Sequence, residues 1–69
     1  MDYEFGILSG MEDYEPCGTS YSLEGAKREC AESEYAWSGR HINEWRFVRG
    51  RWVADTDDPN EFWYVREVQ

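Results

Sequence analysis

Asp2, Glu4, Asp13 and Glu15 are the residues whose types and spacing come closest to a chemistry. Each pair is two residues apart. On a strand, alternate side chains leave one face roughly 6.5 Å apart, comparable to the spacing of successive phosphates along a nucleic-acid strand. If the two segments pair as a hairpin, the four acids make a row of negative charge on its outer face, suited to a protein with a basic surface. A second group, Asp57, Asp58 and Glu61, belongs to Asp55-Thr-Asp-Asp-Pro-Asn-Glu61. Its composition is that of a cation loop. Calcium loops of the EF-hand kind, however, need acids at alternate positions, a central glycine and a closing glutamate further on. Pro59 interrupts the run and no glycine is present, so it reads as an acidic turn and a second partner-facing group. The plainer account of all these acids is a charged outer face that discourages edge pairing and keeps a small chain in solution.

Other constellations lead less far. Cys17, Cys30 and His41 supply three zinc-ligand types, but no pair has the short spacing of a zinc site. No metal and no cofactor are expected. His41, the only histidine, has no neighbouring residues that complete a Ser-His-Asp or Cys-His arrangement, and there is no phosphate loop or dinucleotide fingerprint. The expectation is a chain that is not an enzyme. Arg46, Arg49 and Arg51 interleave with Trp45, Phe47 and Trp52 as in a surface for single strands. Strand alternation puts Arg46 and Arg51 on the face opposite the aromatics, where they cannot act together.

The charge balance points the same way. Fifteen acids against seven bases give a net charge of −8. Nine of the acids but only Lys27 and Arg28 among the bases fall in residues 1–34. Direct binding to nucleic acid or to an anionic membrane needs a basic face, so neither is expected, whereas a basic protein would be attracted and steered. Four Trp, five Tyr and three Phe in 69 residues argue against disorder and supply the dense packing that so small a chain needs. A single domain, 1–69, is expected. The segment Met-Asp-Tyr-Glu-Phe is acidic where a secretory leader is basic, and no apolar run is long enough to cross a bilayer. These features predict a cytoplasmic protein with two reduced thiols.

The elements that must position these groups are legible in outline. Arg49-Gly50 reads as a two-residue hairpin turn between strands near 44–48 and 51–55. That register sets Phe47 opposite Trp52 and Trp45 opposite Ala54, with Glu44, Arg46, Arg51 and Asp55 on the other, polar face. Tyr3, Phe5 and Ile7 alternate with polar or small residues as a strand near 3–8. A two-residue turn at Ser9-Gly10 would place Ile7 opposite Glu12 and Glu4 opposite Glu15, two like charges face to face. Pro16 to Ser20 reads as a loop. Ser22 is a helix N-cap and Gly39 a helix stop, giving a helix over 22–37 with Leu23, Ala26, Cys30, Ser33 and Trp37 on one face. The final strand, 62–68, is apolar on both sides near its start, which suggests a strand flanked on both faces or an exposed aromatic site. The predicted fold is α+β: one helix packed on an antiparallel sheet of three to five strands. The predicted core is Phe5, Ile7, Leu23, Ala26, Cys30, Trp37, Trp45, Phe47 and Trp52.

The combination of a short acidic chain, the helix start Ser22-Leu-Glu-Gly-Ala-Lys-Arg28 and Trp/Tyr-rich terminal strands resembles small phage-encoded accessory proteins. Among these it is similar in size and charge to anti-CRISPR proteins, several families of which act as DNA mimics. Those families share no common sequence signature, so no residue role is carried over. The resemblance implies a stoichiometric inhibitor in the host cytoplasm that occupies a basic nucleic-acid-binding site, for example on a CRISPR effector complex. A second class of function stays open: an interaction domain with an exposed aromatic surface, Tyr35 with Phe62 or Tyr64, in which acidity serves solubility alone.

Overall fold

In the computed structural model, which describes residues 2–10 and 12–68, one helix lies across a five-stranded antiparallel sheet. The elements in chain order are β1 (Asp2–Ser9), β2 (Asp13–Ser20), α1 (Leu23–Ser38), β3 (Arg46–Val48), β4 (Arg51–Asp55) and β5 (Glu61–Val68). The strand order is β2-β1-β5-β4-β3, so β5 is central and β2 and β3 are the edges.

The local signals that end in backbone chemistry are realised. Arg49 and Gly50 have φ of 53° and 82°, the pair of left-handed residues that a two-residue turn between right-twisted strands demands. Phe47 accordingly faces Trp52 across the β3–β4 ladder. The Ser22 hydroxyl accepts the Gly25 N–H at 3.0 Å, and Gly39, left-handed at φ 76°, closes the helix with its N–H on the Tyr35 carbonyl at 2.9 Å.

The first hairpin departs from expectation. Ser9 faces Asp13 and Ile7 faces Glu15, so the register differs by three residues from that of a two-residue turn. An odd shift moves the side chains of 13–16 to the opposite face. Past the bulge the shift grows to four, so Glu4 faces Thr19 rather than Glu15, and the like-charge clash does not arise. The segment read as a loop, 16–20, is the second half of β2. It stays paired because the register steps between Phe5 and Gly6, leaving Cys17 as the extra residue of a bulge, and because Pro16 sits on an edge strand, where no ladder N–H is missed. Gly6 is required there: a Cβ on it would lie 2.1 Å from the Glu15 carbonyl oxygen.

The core fills the space between α1 and the sheet with Phe5, Ala26, Cys30, Ala54, Trp63 and Val65, flanked by half-buried Tyr3, Ile7, Leu23, Ile42, Trp45 and Trp52. Leu8, Val53 and Tyr64 form a second cluster on the other sheet face, with Tyr14 and Phe62 against it. Over 62–65 both faces of β5 are thus apolar and covered. The polar face expected for the β3–β4 hairpin is only partly so. Arg46 pairs with Asp55 at 3.1 Å in solvent, but Arg51 and Val53 are buried. Two predicted core residues lie outside. Phe47 is exposed because β3 is an edge strand, and it touches Trp52 edge-on, ring centroids 5.0 Å apart. Trp37 is 83% exposed; on α1 the buried positions run Ala26, Cys30, Glu34. No helix among the described residues is long and apolar enough to cross a membrane.

Candidate functional site

The sheet topology decides which carboxylates meet. Ser9 is the cross-strand partner of Asp13 on one side and Glu61 on the other, so the two acids stand in one row two strands apart, about 10 Å between backbones. The next row carries Glu15, Ile7, Trp63 and Ala54. The turn from β4 to β5 holds Asp57 and Asp58 beside this end. Its shape is set by Thr56, whose hydroxyl oxygen accepts the Asp58 N–H at 3.0 Å and lies 3.0 and 3.1 Å from the Asp58 and Glu61 carbonyls. Asp58 Oδ1 accepts the Asn60 N–H at 2.8 Å, and the Gly10 N–H donates to the Asn60 carbonyl at 3.2 Å, tying the two loops together. Asp13 and Glu15 from the first acidic group thereby join Asp57, Asp58 and Glu61 from the second at one end of the sheet, with exposed Glu12 beside them. None of the five forms an ion pair with a described residue.

Asp2 and Glu4 are not part of this end. The row Asp2, Glu4, Asp13, Glu15 does not exist on one face: the register places Asp13 and Glu15 on the side that carries the helix and Glu4 on the other. Asp2 lies at the far end of β1, seven residues from Ser9 and so about 23 Å away. Glu4 is committed within the fold. It takes Arg66 Nη2 at 2.9 Å and Nε at 3.0 Å, accepts the Tyr64 hydroxyl at 2.6 Å, and its side chain is only 16% exposed. Arg66 in turn lies over the Tyr14 ring, 4.0 Å from its centroid. Burial pushes the Tyr64 phenol well above its ordinary pKa; its bond to the Glu4 carboxylate adds to the rise and the nearby Arg66 opposes it.

The acidic end borders a groove between the second half of α1 and the sheet, about 440 Å³ in volume, lined by Ile7, Cys17, Ser33, Glu34, Trp37, Thr56, Asp57, Glu61 and Trp63. Trp37 follows Cys30 by seven residues, two helical turns, and so projects toward the same side as the buried positions. It is exposed because the groove, rather than sheet, lies beneath it. Glu34 is 2% exposed; its Oε1 accepts the Trp63 indole N–H at 2.8 Å, and its Oε2 accepts the Ser38 hydroxyl. That bond holds the Trp63 ring as part of the groove wall. Cys17 is an exposed thiol and Cys30 a buried one. Burial pushes the Cys30 thiol up to about 12, with smaller contributions from Cys17 and Glu29.

Sequence reasoning missed the pairing of Glu34 with Trp63 and the exposed placement of Trp37. The signal available was a glutamate four residues after Cys30 on the apolar side of the helix. The aromatic surface expected from Tyr35 with Phe62 or Tyr64 is not assembled. Tyr64 is fully buried, Phe62 packs on the sheet face away from the helix, and exposed Tyr35 stands over His41, ring centroids 4.8 Å apart. Among the described residues no three His, Cys, Asp or Glu side chains converge to hold a metal ion.

Compared with known proteins, the chain matches no family model, no curated protein and no solved structure.

Proposed function

We propose that the chain is a non-enzymatic binding protein whose acidic end occupies a basic, nucleic-acid-binding surface on a larger protein complex, in the manner of the inhibitors it resembles. The observation that carries this is the convergence of Asp13, Glu15, Asp57, Asp58 and Glu61, drawn from two distant stretches, with no ion pair to neutralise them among the described residues. Asp13 and Glu15 keep the same-face spacing of roughly 6.5 Å that a phosphate mimic needs, and Glu61 adds a second line of charge beside them. A net charge of −8 would steer a basic partner toward the chain, and salt would weaken the attraction.

The test begins with proteins captured from the source cell by the immobilised chain. Nucleic acid is then titrated against the purified complex. Mutual displacement supports shared use of one site; a stable ternary complex refutes it. The same complex distinguishes the acidic end from mere net charge. Neutralising Asp13, Glu15 and Glu61 together is expected to slow association and flatten its salt dependence. Neutralising Asp2, Glu24 and Glu67 at the opposite end removes as many charges and is expected to do much less. Equal effects of the two triples would mean that no particular carboxylates are used.

A further inference from the structure

The groove beside Trp37 is built from parts that together describe one kind of occupant. Trp37, at 83% exposure, is on the core-facing side of the helix with a cavity of about 440 Å³ beneath it. Trp63, held by Glu34, offers a second indole, and Ile7 adds apolar surface. The carboxylates of Asp57 and Glu61 stand at the same groove without an ion pair to a described residue, and no Lys or Arg lines it. An apolar anion would meet repulsion here, and a neutral apolar side chain would leave the carboxylates unanswered. A small metal ion would find Glu34 already engaged by Trp63 and Ser38. The matching chemistry is a cation on an apolar stem.

We propose that this groove receives an arginine side chain projecting from the protein partner, its stem along Ile7 and Trp63 and its guanidinium stacked on Trp37 within reach of Asp57 and Glu61. Arginine fits better than lysine because its planar, weakly hydrated head stacks on an indole and meets a carboxylate with two parallel N–H donors. An exposed tryptophan beside a cavity is also the usual make-up of an energetic anchor in a protein interface. This assignment rests on the acidic-end proposal: the carboxylates attract a basic surface, and the groove selects which basic side chain is inserted.

The experiment uses two peptides of equal charge, nine arginines and nine lysines, against the full chain and its Trp37→Ala and Asp57→Asn/Glu61→Gln variants. Trp37 is so exposed that its replacement leaves the fold intact, which an unchanged melting curve verifies. At low salt both peptides are expected to bind, the arginine peptide about 2- to 5-fold more tightly. Trp37→Ala is expected to abolish that preference while both peptides still bind; the double variant weakens both. In NMR spectra the indole N–H signals of Trp37 and Trp63 are expected to move with the arginine peptide, and those of Trp45 and Trp52 to stay. Equal affinities in the unaltered chain, or a preference that survives Trp37→Ala, overturn the groove assignment and leave the acidic end standing. Failure of both peptides to bind overturns the acidic end, and the groove assignment with it. A Trp37-dependent dimer in sedimentation without peptide would make a second copy the occupant, and would also overturn the assignment.

Discussion

Replacing Glu34 by alanine is expected to be among the most damaging single changes to the helix. The side chain is 2% exposed, and its Oε1 is the acceptor for the Trp63 indole N–H at 2.8 Å. Without it that N–H stays buried and unsatisfied, which costs about 1–3 kcal/mol. Loss of the buried methylene adds about 0.8 kcal/mol, for a total of about 2–4 kcal/mol. The whole domain is held by roughly 3–10 kcal/mol at the usual stability per residue, so the fold of Glu34→Ala is marginal, with a melting temperature lower by more than about 10 °C. Glu34→Gln separates geometry from charge. Its amide oxygen still accepts from Trp63, and the new NH₂ donates to the Ser38 hydroxyl, which can accept as readily as donate. It is expected to lose less than about 1 kcal/mol. Urea unfolding followed by tryptophan fluorescence measures both variants, and the m-value checks that the denatured state has not changed. If Glu34→Gln falls as far as Glu34→Ala, or if Glu34→Ala loses under about 1 kcal/mol, the hydrogen bond to Trp63 is not what the carboxyl group contributes.

Trp37→Ala is expected to move stability by no more than about 0.5 kcal/mol, whereas Trp52→Ala, which removes a half-buried ring packed under Lys27, is expected to cost several-fold more; thermal melts of the pair give the order. Gly6→Ala, with its Cβ 2.1 Å from the Glu15 carbonyl oxygen, is expected to break the β1–β2 ladder, visible as accelerated amide exchange in 13–20. At pH 8 a maleimide is expected to modify Cys17 and leave Cys30 untouched until the chain unfolds, which peptide mapping resolves. Above pH 9 the unfolded chain gives up a thiol proton that folded Cys30, pushed up to about 12, retains. Stability is therefore full below about pH 9 and falls toward pH 12 by about 1.4 kcal/mol per pH unit for that group, a slope that Cys30→Ala reduces and that the raised Tyr64 phenol partly keeps.

The parts of the fold legible in the sequence are those fixed by adjacent residues. Arg49-Gly50 can only turn one way between twisted strands, and Ser22 and Gly39 mark the helix with groups that bond their own neighbours. The register of β2 was not legible because it depends on a bulge, and Cys17 bears no mark of being the extra residue; Pro16 and Gly18 beside it read as loop. The acidic turn 55–61 was visible as such, and so was the first acidic group. Their union at one end follows from the β1–β5 pairing, a contact between chain ends that no local pattern records. Trp37 has the periodicity of a core residue, and only the absence of sheet beneath the last helical turn puts it in solvent.

The strand that occupies the middle of the sheet is the one that comes last in the chain. Asp2 is paired with Val68 and Ser9 with Glu61, so the β5 flank of β1 stays uncovered until residues 61–68 are in place. Until then Leu8 and Phe5 have no floor, and the β1–β2 and β3–β4 hairpins are separate pieces. Closing a loop of that length is the slow event in assembling such a sheet. A circular permutant that joins β5 to β1 through a short linker and opens the chain between β1 and β2 would turn the β1–β5 pairing into a hairpin and hand the longest closure to β1–β2, and is expected to reverse the order in which the two flanks of β1 are covered without a large gain in refolding rate.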